Sequence, residues 1–306
     1  MPGELILVAG PTAVGKSEIA LHLAEQIGGE VISVDSMQVY RGMDIGTAKP
    51  SLRDRQRVKH HLIDIVEPSE PFDVAQFVEH AALAVKQVHS RGAIPILCGG
   101  TGLYFKAFLE GLGNAPPASP ELRATLEKIP AAELLQELET RDPETFKRID
   151  RKNLRRVIRA VEVIRLTGKP FSEQRAQWND PDAAVVRPLF IGITRDREEL
   201  RTRVDRRADE MFRRGLVAET NGLLRKGLAS NKVATQALGY RQVIDHLQGR
   251  LPLEETIDLV KVRTRQFAKR QLTWFRHQFV LQWITVSSGD GPQQSSARIA
   301  QLFSKR

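Results

Sequence analysis

The segment Gly10-Pro11-Thr12-Ala13-Val14-Gly15-Lys16-Ser17 constrains this chain more than any other stretch, because it fits G-x-x-x-x-G-K-[ST] at every fixed position. The apolar run at residues 5–9 precedes it and reads as a buried strand. After it, Ile19, Ala20, Leu23, Ala24 and Ile27 recur at helical spacing until Gly28-Gly29 stops the pattern. Strand, glycine turn and helix in this order form a cradle for phosphate. The glycines let the backbone wrap so that its N–H groups point inward, and the helix N-terminus adds the positive end of a dipole. Lys16 brings a mobile cation, and the Ser17 hydroxyl is a ligand for Mg2+. The motif identifies a phosphate site, not a reaction. ATP or GTP chemistry is its common use, and a diphosphate that is itself a leaving group fits the same cradle.

Further apolar runs predict strands at residues 31–34 (ending at Asp35), 62–66, 93–97, 188–193 and 280–284. Helical patterns fall at 16–27, 74–89, 197–215, 216–227 and 253–278. Gly99-Gly100-Thr101-Gly102 follows the run at 93–97, and strand–helix alternation with glycines at strand ends argues for a parallel α/β sheet. A Pro-rich break runs from Asn114 to Pro120, and from Glu121 to about Gln177 the pattern is helical only. The expected organisation is an α/β core over 1–113 and 187–306 with an all-helical insertion at 114–186. The Ser/Gln/Gly stretch at 287–296 reads as a mobile loop.

A length of 306 residues allows about two domains. No apolar run approaches the ~20 residues needed to cross a bilayer, and Met1-Pro2-Gly3-Glu4 has no basic leader, so no membrane partner is expected. The single cysteine, Cys98, excludes an internal disulfide and a Cys-based zinc cluster; it reads as a small buried residue in a reduced, cytoplasmic protein. His60-His61 does not read as a metal pair, since strand neighbours point to opposite faces. The net charge is +9, and residues 260–289 contain no Asp or Glu. In a helix there, Lys261, Arg265 and Lys269 share one stripe, which reads as a phosphate-tracking surface for nucleic acid.

The run Val34-Asp35-Ser36-Met37-Gln38-Val39-Tyr40-Arg41-Gly42-Met43-Asp44-Ile45-Gly46-Thr47-Ala48-Lys49-Pro50 is long and distinctive. With it come His60-His61-Leu62, Gly99 to Tyr104, Asn153 to Val163, Ala237 to Gln242 and Thr264 to Gln271. In these blocks, and in the loop at 10–17, the chain resembles the bacterial tRNA dimethylallyltransferases (tRNA isopentenyltransferases) from the first strand to Trp274. The resemblance implies a P-loop NTPase/kinase-like parallel sheet core carrying an inserted helical domain. It implies that Gly10, Pro11, Thr12, Ala13, Val14, Gly15, Lys16 and Ser17 hold the diphosphate of dimethylallyl diphosphate, with Mg2+ on Ser17. The acceptor would be N6 of the adenine 3′ of the anticodon, position 37, in tRNAs reading codons that begin with U. Eukaryotic relatives carrying a C-terminal zinc finger would differ, since this chain lacks the cysteines for one.

The resemblance further implies Asp35 as general base, raising the nucleophilicity of an adenine amine whose lone pair is delocalised. A Walker-B-like Asp holding the Mg2+ shell is the other reading. Thr101 would touch the substrate, and Lys16 would stabilise charge growing on the leaving diphosphate. Contacts to the tRNA anticodon stem-loop are expected from Asp35, Ser36, Met37, Gln38 and Thr101, with the Gln38 amide reading an adenine edge. Arg123, Arg159, Ala160, Val161, Glu162 and Val163 are expected to join them, as are Gly239, Tyr240, Arg241 and Gln242. Among the insertion's cations Arg159 is favoured over Lys152. A monomer is adequate, because every block lies in one chain. Two alternatives stay open: a P-loop small-molecule kinase using ATP, and an isopentenyltransferase acting on free AMP or ATP.

Overall fold

The computed structural model describes residues 4–174 and 188–305, so the expected limits of the insertion near 177 and 186 lie outside the described residues. The strands are β1 (Ile6–Ala9), β2 (Gly29–Val34), β3 (His60–His61), β4 (Ile94–Gly99), β5 (Leu189–Thr194) and β6 (Gln282–Thr285). The first helices are α1 (Lys16–Ile27), α2 (Leu52–Arg57), α3 (Val74–Ser90) and α4 (Gly102–Glu110). Then come α5 (Pro120–Leu126), α6 (Ala131–Arg141), α7 (Pro143–Arg148), α8 (Leu154–Thr167) and α9 (Phe171–Gln174). The chain closes with α10 (Arg197–Arg213), α11 (Leu216–Arg225), α12 (Tyr240–Leu247), α13 (Leu253–Gln278) and α14 (Pro292–Ser304).

The strands pair in parallel in the order β3-β2-β4-β1-β5-β6. The connection leaving β1 runs to one side of the sheet, to β2, and the one leaving β4 runs to the other, to β5. Where such connections diverge, a crevice opens beyond the carboxyl ends of the strands. Register brings the ends level: Ala9 pairs with Gly99 on one side and Gly192 on the other, and Val34 also pairs with Gly99. Gly10, Asp35 and Gly100 therefore leave the sheet side by side. The apolar core of this unit joins Ile6, Val8, Ile191 and Ile193 to Ile19, Leu23 and Ile299.

Two compact units form, residues 1–106 with 185–306 and residues 107–184. The boundary falls inside α4, ahead of the Pro-rich break taken from sequence, because the helix continues past it. The second unit has its own core, in which Leu126, Leu134 and Leu138 meet Val157, Ala160, Val161 and Ile164 of α8.

Two expected elements differ. Residues 62–66 do not form a strand: Leu62 and Asp64 adopt left-handed φ values of 60° and 56°, and the paired strand is the short His60–His61 before them. Asp64 is drawn out of line by Lys49 at 2.5 Å and Arg55 at 2.7 Å. Residues 287–296 are not all loop, for α14 starts at Pro292. Proline suits a first helical turn, and Ser295, Ser296 and Ile299 are buried. Polar composition hid this helix, which packs against α1.

Candidate active site

The loop between β1 and α1 is shaped by its carbonyls. Arg203 Nε donates to the Ala13 carbonyl at 2.9 Å, and Arg195 Nε donates to the Val14 carbonyl at 2.8 Å. Across a trans peptide the next N–H points the opposite way, so Val14 and Gly15 turn their N–H groups away from those guanidiniums. Ala13 (φ 65°) and Gly15 (φ 101°) take the left-handed conformation this wrapping needs. No side chain caps α1 at Gly15, which leaves the first N–H groups of a long helix open to an anion.

Three charged groups converge on the cradle. Burial lowers the Lys16 pKa; the Arg207 charge pushes the same way and Asp35 opposes it. Burial also lowers Arg207, again against the pull of Asp35. Arg207 forms no hydrogen bond or ion pair among the described residues, and the Lys16 ammonium rests on the Pro11 carbonyl at 3.2 Å. Cations held in this state are ready for an anion that outcompetes a carbonyl. Sequence reading missed Arg207, Arg203 and Arg195. The available signal was the spacing of Arg203 and Arg207, one helical turn apart on α10.

Asp35 follows β2 and folds back on its own chain. Its Oδ1 accepts the N–H of Met37 at 2.9 Å and of Gln38 at 3.3 Å. Its Oδ2 has no hydrogen-bond partner among the described residues. Thr101 comes alongside: its Oγ1 accepts the Ser36 N–H at 3.2 Å. Cys98 lies beneath Lys16, and burial pushes its thiol up to about 12, so it is no nucleophile.

Several expected contacts turn out to be internal. The Gln38 amide is satisfied inside the protein, Oε1 accepting from Ser33 Oγ at 2.8 Å and Nε2 donating to the Thr47 carbonyl at 3.2 Å. It shapes the loop that follows Asp35 and has no free edge with which to read adenine. Tyr240 is fully buried. Its hydroxyl donates to Glu219 at 2.6 Å and accepts the Gly46 N–H at 3.1 Å, and Glu219 also takes the Ile45 N–H at 2.9 Å. Burial, then Glu219, raises the Tyr240 pKa. This residue clasps the 44–47 loop and cannot stack on a base. Gln242 is buried and accepts the Gly239 N–H at 2.9 Å, so of this block only Arg241 presents its side chain to solvent.

In the second unit, Ala160, Val161, Glu162 and Val163 are buried, because this face of α8 builds the core. Arg123 Nε and Arg159 Nη1 both bind the Glu162 carboxylate, at 2.9 and 2.6 Å, and Arg159 Nη2 also donates to the Pro116 carbonyl at 2.5 Å. Lys152, Arg155 and Arg156 are among the exposed cations of this unit, whereas Arg159, expected ahead of Lys152 at the tRNA, is only partly exposed and held by Glu162. On α13 the expected stripe divides. Lys261 pairs with Asp209 at 2.7 Å and Arg265 with Asp205 at 3.4 Å, both on α10, while Lys269 stays exposed beside Arg263, Arg270 and Arg276. Among the described residues no helix is long and apolar enough to cross a membrane.

Fold and site together define a P-loop α/β protein that sets a carboxylate and a hydroxyl beside the uncapped start of α1. The chain belongs to the IPP transferase family, whose model matches residues 38–278. It is 46% identical over 285 residues to a protein of Geobacter metallireducens named tRNA dimethylallyltransferase, covering 92% of each chain. Against tRNA dimethylallyltransferase 1 of Trichlorobacter lovleyi it is 44% identical over 301 residues, covering 97% of this chain and 98% of that one. A solved tRNA isopentenylpyrophosphate transferase of Bacillus halodurans matches with a TM-score of 0.73 and 39% identity, over 99% of this chain and 97% of that one.

Proposed function

We propose that the chain transfers the dimethylallyl group of dimethylallyl diphosphate to N6 of the adenine 3′ of the anticodon, position 37, in tRNAs reading codons that begin with U. The observation that carries this reading is the convergence, at one sheet edge, of an anion cradle with Asp35 and Thr101. The allylic C–O bond breaks and its electron pair leaves with the diphosphate. The N6 lone pair forms the new C–N bond, and the N6 proton passes to Asp35. Lys16, Arg207 and the α1 N-terminus stabilise the charge that grows on the departing oxygens. Thr101 accepts from Ser36 and retains its own proton to donate toward a substrate oxygen.

Mg2+ fits this donor set. The Ser17 hydroxyl is exposed and has no hydrogen-bond partner among the described residues. Few protein ligands suit an ion held largely by phosphate and water. When bound with diphosphate through Ser17, it would neutralise part of the phosphate charge.

Exposed cations on α13 and on the insertion supply the attraction for a tRNA anticodon stem-loop, and the enzyme works as a monomer in the cytoplasm. A free nucleotide acceptor would not call for these surfaces. The test supplies labelled dimethylallyl diphosphate and Mg2+ with an anticodon stem-loop, with AMP, or with no acceptor. Label enters only the RNA. Transfer to AMP would install an adenylate isopentenyltransferase, and ATP turnover without prenyl transfer would install a kinase.

A further inference from the structure

The ladder between β1 and β4 ends at Ala9 and Gly99. Beyond it the chain splits into the phosphate cradle on one side and the Thr101 turn on the other, and no backbone hydrogen bond joins them among the described residues. One buried side chain from α13 spans the gap. Gln271 Oε1 accepts the Thr12 N–H at 2.8 Å, and its Nε2 donates to the Gly100 carbonyl at 2.9 Å. An N–H on one side and a C=O on the other fix the amide in one orientation. The fit is close, since a Cβ on Gly100 would lie 2.4 Å from Nε2. The same helix also backs the turn beyond Thr101, where a Cβ on Gly102 would lie 2.1 Å from the Trp274 ring.

We infer that Gln271 is a positioning residue: its amide continues the β1–β4 ladder by one rung and sets the separation between the diphosphate cradle and Thr101. Resting on the proposed reaction, this assigns to one side chain the distance over which the prenyl carbon passes from leaving group to amine. Reacting groups held by separate loops lose alignment when the loops drift, and a displacement of ~1 Å costs on the order of 100-fold in rate.

Gln271→Leu removes both hydrogen bonds at similar volume. It lowers kcat for stem-loop prenylation by about 10- to 100-fold, while inorganic diphosphate binds within about threefold of the parent, since the cradle's own cations remain. Gln271→Glu gives the sharper readout. Its ionised form can accept from Thr12 but cannot donate to Gly100; its protonated form does both. Burial raises a carboxyl pKa, so the ratio of variant to parent activity climbs as pH falls from about pH 8 to about pH 6. Taking the ratio at each pH cancels the titration of groups both proteins share. A parental kcat in Gln271→Leu, or a flat ratio in Gln271→Glu, overturns the assignment. If Gln271→Leu does not fold, the Glu profile decides alone. A parent protein that prenylates nothing refutes the reaction but not the brace. Amide exchange at Thr12 then decides: protection in the parent that is lost in Gln271→Glu at about pH 8 supports the brace, and equal protection in both removes it.

Discussion

Thr101 Oγ1 accepts the backbone N–H of Ser36 at 3.2 Å, which ties the Gly-rich turn after β4 to the residue that follows Asp35. The hydroxyl is thereby oriented with its acceptor role filled and its donor role open. Thr101→Val removes both roles at constant shape and slows transfer by roughly 10- to 100-fold, the worth of one hydrogen bond to a charged partner. Thr101→Ser keeps most of the rate. Steady-state prenylation of a stem-loop measures both, and equal rates for Val and Ser would remove the hydroxyl from the reaction.

Asp35 both holds its own turn, through Oδ1, and presents Oδ2 to the site. Asp35→Asn preserves the turn with its amide oxygen and loses only the basic oxygen. Transfer falls by about 100- to 10,000-fold, the span of general-base catalysis, with diphosphate affinity little changed. Near-normal turnover in this variant would exclude proton transfer to Asp35.

Arg207 is half-buried beside Lys16 and Asp35, with no hydrogen bond or ion pair among the described residues. Arg207→Gln raises KM for dimethylallyl diphosphate by roughly 10- to 100-fold, and kcat falls as well, because charge on the diphosphate grows in the transition state. Titration with inorganic diphosphate checks the ground-state part. Unchanged affinity and rate would make this guanidinium structural.

The division of the α13 cations predicts two kinds of variant. Replacing Lys269 and Arg270 by Gln flattens the salt dependence of stem-loop binding by roughly 0.7 to 0.9 in log–log slope per cation. Replacing Lys261 and Arg265 breaks their pairs with Asp209 and Asp205 on α10, lowers the melting temperature and leaves the slope near the parental value. The reverse pattern would return the RNA surface to the stripe read from sequence.

Glu162 is fully enclosed between Arg123 and Arg159. Burial alone would raise its carboxyl pKa, but hydrogen bonds from Arg123, Arg159 and the Ser119 N–H outweigh burial and hold it below the ordinary glutamate value. The folded state thus binds this proton less tightly than the unfolded one. Its contribution is complete above the unfolded pKa of about 4.3 and is lost as pH falls through the folded value. Glu162→Ala costs about 2–3 kcal/mol near neutrality, below the figure for a fully buried pair because both guanidiniums reach solvent. Melting of parent and variant from neutral to acidic pH shows the gap closing below about pH 4; a constant gap would assign the loss to packing alone.

Local chemistry was legible wherever it sits in contiguous sequence. The cradle at 10–17 was readable because strand, glycine turn and helix follow one another, and α13 was placed at its observed limits by periodicity and flanking breakers. Asp35 and Thr101 were legible as strand-end residues. Arg207 was not, because its place in the site depends on how α10 packs, and one arginine among many on a charged helix carries no local mark. Gln38, Tyr240, Gln242 and Arg159 are expected at the tRNA from the family resemblance, and in the fold each also has a partner within the protein.

The sequence by itself determined the glycine-turn loop at 10–17 between β1 and α1, the alternation that builds a parallel sheet, and the blocks that mark the family, all of them short-range patterns. Tertiary structure alone decided which cations are free. An ion pair forms between residues far apart in the chain, and only packing brings Lys261 to Asp209 or sets Arg207 near Asp35 with no ion pair among the described residues. It also decided that Gln271, a polar residue on a basic helix, turns inward to join two loops. A side-chain amide bonds whichever backbone groups the fold places at its ends, and no spacing along the chain specifies them.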